Sequence, residues 1–102
     1  MPKQDIASKI EIESFILTHK DWQYEDGKLI AKYKMKDFDS AMKVIRAVAR
    51  VAEQGNHHPF WSNDFNKLYF ELCTYSERYK VTARDFELAK SISKIIEKVK
   101  GK

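Results

Sequence analysis

Several things the chain has little of narrow its possibilities first. It contains one cysteine, Cys73, in 102 residues, which excludes an intrachain disulfide framework and suits a reducing compartment. Two prolines and three glycines leave no low-complexity or linker-like stretch. No apolar run approaches the ~20 residues that a membrane span requires. The opening residues, Met1-Pro2-Lys3-Gln4-Asp5, lack the apolar region of a signal peptide. A cytoplasmic protein with no membrane partner is therefore expected. An excess of one charge is also missing: 19 basic residues are interleaved with 15 acidic ones, for a formal charge of +4.

What is present suffices for one packed core. Hydrophobic residues make up 43% and aromatics 13% of the chain, and a chain of this size can bury somewhat under ~70% of its unfolded surface. Residues 1–102 read as a single domain.

Periodicity then places the elements. Residues from about 5 to 19 read as a helix: Ser8 and Glu11 have capping-box spacing, and Ile6, Ile10, Phe15, Ile16 and Leu17 form an imperfect apolar stripe. His19 at its end suits the negative pole of the helix dipole. Trp22-Gln23-Tyr24 reads as a strand and Asp26-Gly27 as a hairpin turn. Leu29 to Met35 reads as the return strand, with Leu29, Ala31, Tyr33 and Met35 on one side and Lys32, Lys34 and Lys36 on the other. The lysines suit a solvated face, or an edge protected from aggregation; the sharper alternative is a surface for phosphate or another anion.

Asp37 or Asp39 can cap the next helix. Its predicted core stripe is Phe38, Ala41, Met42, Ile45, Val48, Ala49 and Ala52, and Gly55 is expected to end it in a left-handed conformation. Trp61–Phe65 and Leu68–Thr74 read as two more strands around Asn66-Lys67. Leu68, Phe70, Leu72 and Thr74 then face one way, and Tyr69, Glu71, Cys73 and Tyr75 the other. A last helix begins near Thr82 and buries Phe86, Ala89, Ile92, Ile96 and Val99. The order α-β-β-α-β-β-α predicts an α+β fold, a four-stranded antiparallel sheet covered on one face by three helices. The uncovered face, bearing Tyr69, suggests self-association.

The chemistry concentrates between Glu53 and Asp85. His57 and His58 sit side by side before Pro59, which fixes its own φ and extends its predecessor. Imidazoles titrate near neutrality, so a rigidly held pair can both give and take protons. Taken alone, such a pair is better read as two rings merely satisfying backbone groups in a turn. Thr82-x-x-Asp85 is itself a capping pattern, so Asp85 has a structural reading beside any role in a site. A zinc site would need Cys73, Glu71 or His19 to converge on the pair, and no metal is expected. No P-loop, dinucleotide fingerprint or nucleophile elbow occurs.

The pattern Glu53-x-x-x-His57-His58-Pro59, with Phe65, Thr74-x and Asp85, resembles the pterin-4a-carbinolamine dehydratase family, known in animals also as dimerisation cofactors of a homeodomain transcription factor. The likeness runs from Trp22 through Asp26-Gly27, Lys36-Asp37-Phe38, the histidines and Asn66-Lys67 into the final helix. It implies loss of water from a 4a-hydroxytetrahydropterin to give the quinonoid dihydropterin, in tetrahydropterin recycling, without a cofactor. It also implies homodimers or homotetramers. On the family's pattern, His57 is the general acid for the 4a-hydroxyl and His58 holds and polarises the pterin ring. Glu53, one turn earlier, is expected to orient His57. Pro59, Trp61 and Asp85 complete the expected substrate-binding set.

Two positions depart from that pattern. Tyr75 stands where most members carry a third histidine, so pterin binding with weaker or more one-sided turnover is expected. Lys80 replaces a common glycine before the last helix. The competing class is a binding module that has lost turnover and works as an oligomerisation or transcription partner. A nucleic-acid partner, on the Lys32-Lys34-Lys36 face beside Tyr33, is not expected.

Overall fold

The computed structural model describes residues 6–78 and 80–101. Its elements are helix α1 (Lys9–Thr18), strands β1 (Trp22–Glu25) and β2 (Lys28–Lys34), helix α2 (Phe38–Gln54), strands β3 (Phe60–Asp64) and β4 (Lys67–Leu72), a 3-10 turn at Tyr75–Glu77, and helix α3 (Ala83–Val99). The four strands form one antiparallel sheet in the order β1-β2-β4-β3. This is the expected α+β order.

Local chemistry accounts for most boundaries. Ser8 and Glu11 close a reciprocal capping box on α1, satisfying two of the amides that a helix start leaves unpaired. The helix therefore begins at Lys9, later than the expected start near residue 5: Ile6 instead bridges to Thr82. At its other end the His19 ring sits within hydrogen-bond distance of the Phe15 carbonyl at 3.0 Å and stacks on the Phe15 ring. Asp26 (φ 52°) and Gly27 (φ 79°) both adopt the left-handed conformation that a two-residue hairpin needs to match the strand twist.

Register sorts the two faces of the sheet. Trp22, Ala31, Phe70 and Trp61 form one row across all four strands. That row, with Leu29, Leu68 and Leu72, shares the core with Phe15 of α1, Val44 and Val48 of α2, and Ala89 and Ile92 of α3. Trp22 is fully buried, and its indole N–H donates to Ser93 of α3, which in turn donates to Asp21. The opposite face carries the rows Lys32–Tyr69–Ser62 and Lys34–Lys67–Asp64.

Several details differ from the sequence reading. In α2 the buried line runs through Ser40, Ala41, Val44, Val48 and Ala52; Phe38 and Ala49 are exposed, because the helix turns its 41-44-48-52 edge to the sheet. Val44 and Leu88 belong to the core although neither stood in the expected stripes. Gly55 closes α2 in a right-handed conformation (φ −87°), and the left-handed residue is Asn56 (φ 50°). Asparagine tolerates that conformation better than most side chains. β3 starts one residue early, at Phe60, and β4 stops at Leu72, where Thr74 leaves the ladder for a bridge to Lys80. Lys36 lies beyond the end of β2 and so does not extend the face of Lys32 and Lys34.

Candidate active site

The connection from α2 to β3 is pinned before its side chains come into play. The His57 amide donates to the Ala52 carbonyl at 3.0 Å. Arg84, in the first turn of α3, donates to the Gly55 and Asn56 carbonyls at 3.2 and 2.6 Å. The histidines are thus carried on a segment tied to α3 as well as to α2.

Each imidazole meets its own carboxylate. His57 Nε2 lies 2.6 Å from Asp85 Oδ1, and His58 Nε2 lies 2.9 Å from Glu53 Oε1. The pairs differ in environment: the side chains of His57 and Asp85 are 13% and 0% exposed, those of His58 and Glu53 55% and 83%. The expected Glu53–His57 pairing is therefore replaced. Asp85 orients His57, and Glu53 sits on His58. One helical turn brings position 53 near 57, but the left-handed Asn56 swings the chain so that the next ring lies over Glu53.

Asp85 performs two tasks with its two oxygens. Oδ1 faces His57, while Oδ2 accepts from the Thr82 amide at 2.9 Å, closing the α3 capping box, and from Thr74 Oγ1 at 2.8 Å. Thr74 and Thr82 are also hydrogen-bonded to each other, at 2.7 Å. The capping reading and the site reading of Asp85 both hold. A carboxylate only accepts, so the His57 proton facing it lies on Nε2, and Nδ1 is the ring nitrogen left for a guest. The same holds for His58 against Glu53.

A hollow of about 220 Å³ opens beside His57, lined also by Val51, Gly55, Arg84, Leu88 and Ser91. It falls below the ~300–1,000 Å³ usual for enclosed ligand pockets, and His58 stands exposed at 55%. Larger hollows lie elsewhere on the molecule, but without a carboxylate–imidazole pair; the chemistry places the site here.

The remaining expected residues are more scattered. Pro59 is half-buried directly after the pair. Trp61 packs edge-on against Phe70, centroids 6.5 Å apart, on the helix-covered face, so its ring contributes to the core beneath the loop. Tyr75 opens the 3-10 turn, exposed, one residue after the Thr74 that bonds Asp85. Cys73 is buried; burial pushes its thiol pKa up, with the Asp85 charge adding to the effect. Among the described residues, no three His, Cys, Asp or Glu side chains cluster as a metal-holding group. Arg84 and the Thr74–Thr82 contact were not foreseen. Thr82 was visible only as a cap, and a lone arginine after it carries no periodic signal.

The matching family model, described as pterin 4 alpha carbinolamine dehydratase, spans residues 5–95. The chain belongs to the pterin-4a-carbinolamine dehydratase family. A protein of Sulfolobus acidocaldarius named "Putative pterin-4-alpha-carbinolamine dehydratase" is 40% identical over 74 residues, covering 72% of this chain and 80% of its own. One of the same name from Solibacter usitatus is 39% identical over 82 residues, covering 80% and 85%. Among solved structures, the transcriptional coactivator/pterin dehydratase of Brucella melitensis superposes with a TM-score of 0.86 at 29% identity, covering 90% of this chain and 99% of its own. The family thus rests on sequence and fold together.

Proposed function

We propose that this member of the family dehydrates a 4a-hydroxytetrahydropterin to the quinonoid dihydropterin by histidine acid–base catalysis, serving tetrahydropterin recycling. The observation that carries the reading is the buried Asp85–His57 pair standing next to the exposed Glu53–His58 pair.

The substrate carries hydroxyl and ring nitrogen on one carbon. Its C–O bond breaks when the oxygen is protonated and the nitrogen lone pair forms the C=N bond. The oxygen leaves as water, and the nitrogen releases its proton. His57, its Nε2–H held by Asp85, presents Nδ1–H in the imidazolium form as the general acid. The buried carboxylate fixes the ring plane. His58 is free to follow a ligand because its pair is exposed; its Nδ1 accepts from the ring N–H and polarises it. General acid–base catalysis of this kind contributes ~10²–10⁴-fold. Nothing in these steps calls for a cofactor.

Tyr75 bears on how fast this chain works. A phenol donates a hydrogen bond but is a poorer proton shuttle than an imidazole. We expect pterin binding to persist and turnover to be weaker or restricted to one epimer at C4a. Stopped-flow decay of freshly generated 4a-hydroxypterin tests both points. The wild type should accelerate it, His57→Ala should abolish the acceleration, and Tyr75→His should raise it. A wild type that leaves the decay unchanged overturns the dehydratase reading.

Tyr75 also favours one second reading, a relative kept as an oligomerisation or transcription partner. The Brucella melitensis neighbour, a transcriptional coactivator/pterin dehydratase, fits that role. A stable heteromeric complex without faster pterin decay would identify it. On either reading a homodimer or homotetramer in the cytoplasm is the expected form.

A further inference from the structure

One end of the molecule, far in chemistry from the histidines, gathers positive charge around the β3–β4 hairpin tip. On the uncovered face a hollow of about 370 Å³ is lined by Lys32, Lys34, Lys67, Ser62, Tyr69 and Asp64. Around the end of β2 a second, of about 510 Å³, is lined by Lys34, Lys36, Lys100, Ser40 and Asn66. Lys34 borders both, so five lysines follow a continuous track with Asp64 as the one acidic lining residue. Ion pairs among the described residues engage Lys28, Lys43 and Lys90, and none of the five track lysines has a carboxylate within salt-bridge distance.

Phe65 stands at the hairpin tip beside this track, between Asp64, which lines the first hollow, and Asn66, which lines the second. It is 65% exposed, and its backbone holds a φ of 57°, an outlier for a bulky residue. The turn is braced: Asn63 Nδ2 donates to the Phe65 and Lys67 carbonyls, each at 3.1 Å. Asn66 Nδ2 donates to the Met35 carbonyl at 2.8 Å, and the Met35 amide returns the bond to the Asn66 carbonyl at 2.8 Å. An exposed ring in a strained but fixed conformation points to a function for it.

We propose that this track binds single-stranded nucleic acid, lysines meeting the phosphates and Phe65 stacking on a base. Strand geometry spaces Lys32 and Lys34 by about 6.8 Å, which favours a run of charges over one compact anion. An unpaired base offers a π-face to an isolated ring, whereas a duplex keeps its bases stacked away from it. The sequence alone discouraged this partner because only the β2 lysines were visible. Folding adds Lys67, Lys100 and the ring.

Fluorescence anisotropy with a labelled short oligothymidylate tests the proposal on the intact chain. If three to five phosphates are neutralised, the affinity should fall about twenty- to a hundredfold between 50 and 200 mM salt, from a slope of ~0.7 per contact. Lys34→Ala with Lys67→Ala should flatten that slope by about 1.4 and leave pterin turnover unchanged. Phe65→Gly should weaken binding about five- to 150-fold while the melting temperature holds or rises, since glycine tolerates that φ. Absence of binding at 50 mM salt, or an unchanged slope in the lysine variant, would overturn the proposal. So would equal affinity for a duplex or for polyglutamate combined with indifference to Phe65→Gly.

Discussion

Replacing Asp85 separates its two tasks most cleanly. The carboxylate is fully buried and accepts from the Thr82 amide and the Thr74 hydroxyl while facing His57 Nε2. Asp85→Ala strands all three partners, and breaking a buried pair of this kind costs about 3–5 kcal/mol. That is a large share of the ~5–15 kcal/mol stability of a typical domain, so this variant mainly reports folding. Asp85→Asn keeps the shape. Its amide oxygen can still serve Thr82 and Thr74, which turns the NH2 group towards His57. All three hydrogen bonds can re-form, but without the anion each is only about half as strong. The amide donates where the carboxylate accepted, so the imidazole must shift its proton to Nδ1. The ring is then locked into the other tautomer, with no carboxylate holding an Nε2 proton. Turnover should fall by about a hundredfold or more, within the range acid–base catalysis supplies, with KM changing much less. Nitrogen NMR of the His57 ring reads the tautomer directly, and denaturant melts confirm folding. A folded Asp85→Asn protein with wild-type turnover, or with Nε2 still protonated, would refute this account.

Other consequences are simpler to check. Arg84→Ala removes two hydrogen bonds to the α2–β3 connection; about 1–2 kcal/mol of stability and a clear drop in turnover should follow, seen by melting and stopped flow. Asp37 caps α2 and its pKa is lowered from 3.8 by the Ser40 amide and hydroxyl. A carboxyl depressed in the folded state stabilises above its unfolded value and loses that contribution as pH falls through the folded one. Asp37→Asn, also a good cap, should therefore melt like the wild type at pH 7 and decline less on acidification below about pH 4. Cys73, buried with its thiol pKa raised, should react slowly with a thiol reagent at pH 7.5 and rapidly once urea unfolds the chain. Fast reaction in the native state would contradict the burial of the Thr74–Asp85 region.

The fold was largely legible because its signals are local and redundant. Asp26-Gly27 fixes one hairpin, Ser8/Glu11 and Thr82/Asp85 fix two helix starts, and alternation along Leu68–Leu72 fixes a face. What escaped was rotation and reach. The α2 stripe was read one step off its axis because Phe38 and Ala49 are as apolar as Val44, and only the sheet decides which edge turns inward. The histidines, their proline and both carboxylates were legible as a set. Their pairing was not, since it depends on one positive φ at Asn56 and on α3 arriving from nearly thirty residues away. The resemblance put Trp61 in the substrate-binding set, whereas cross-strand register packs its ring against Phe70 at the edge of the core.

The double duty of Asp85 also limits what a homologue's sequence can reveal. An aspartate there is needed to launch the last helix whether or not any pterin is processed, so its presence in a relative diagnoses architecture. A lineage that abandoned catalysis would shed His57 long before it shed the acid beside it. The imidazole is the informative letter.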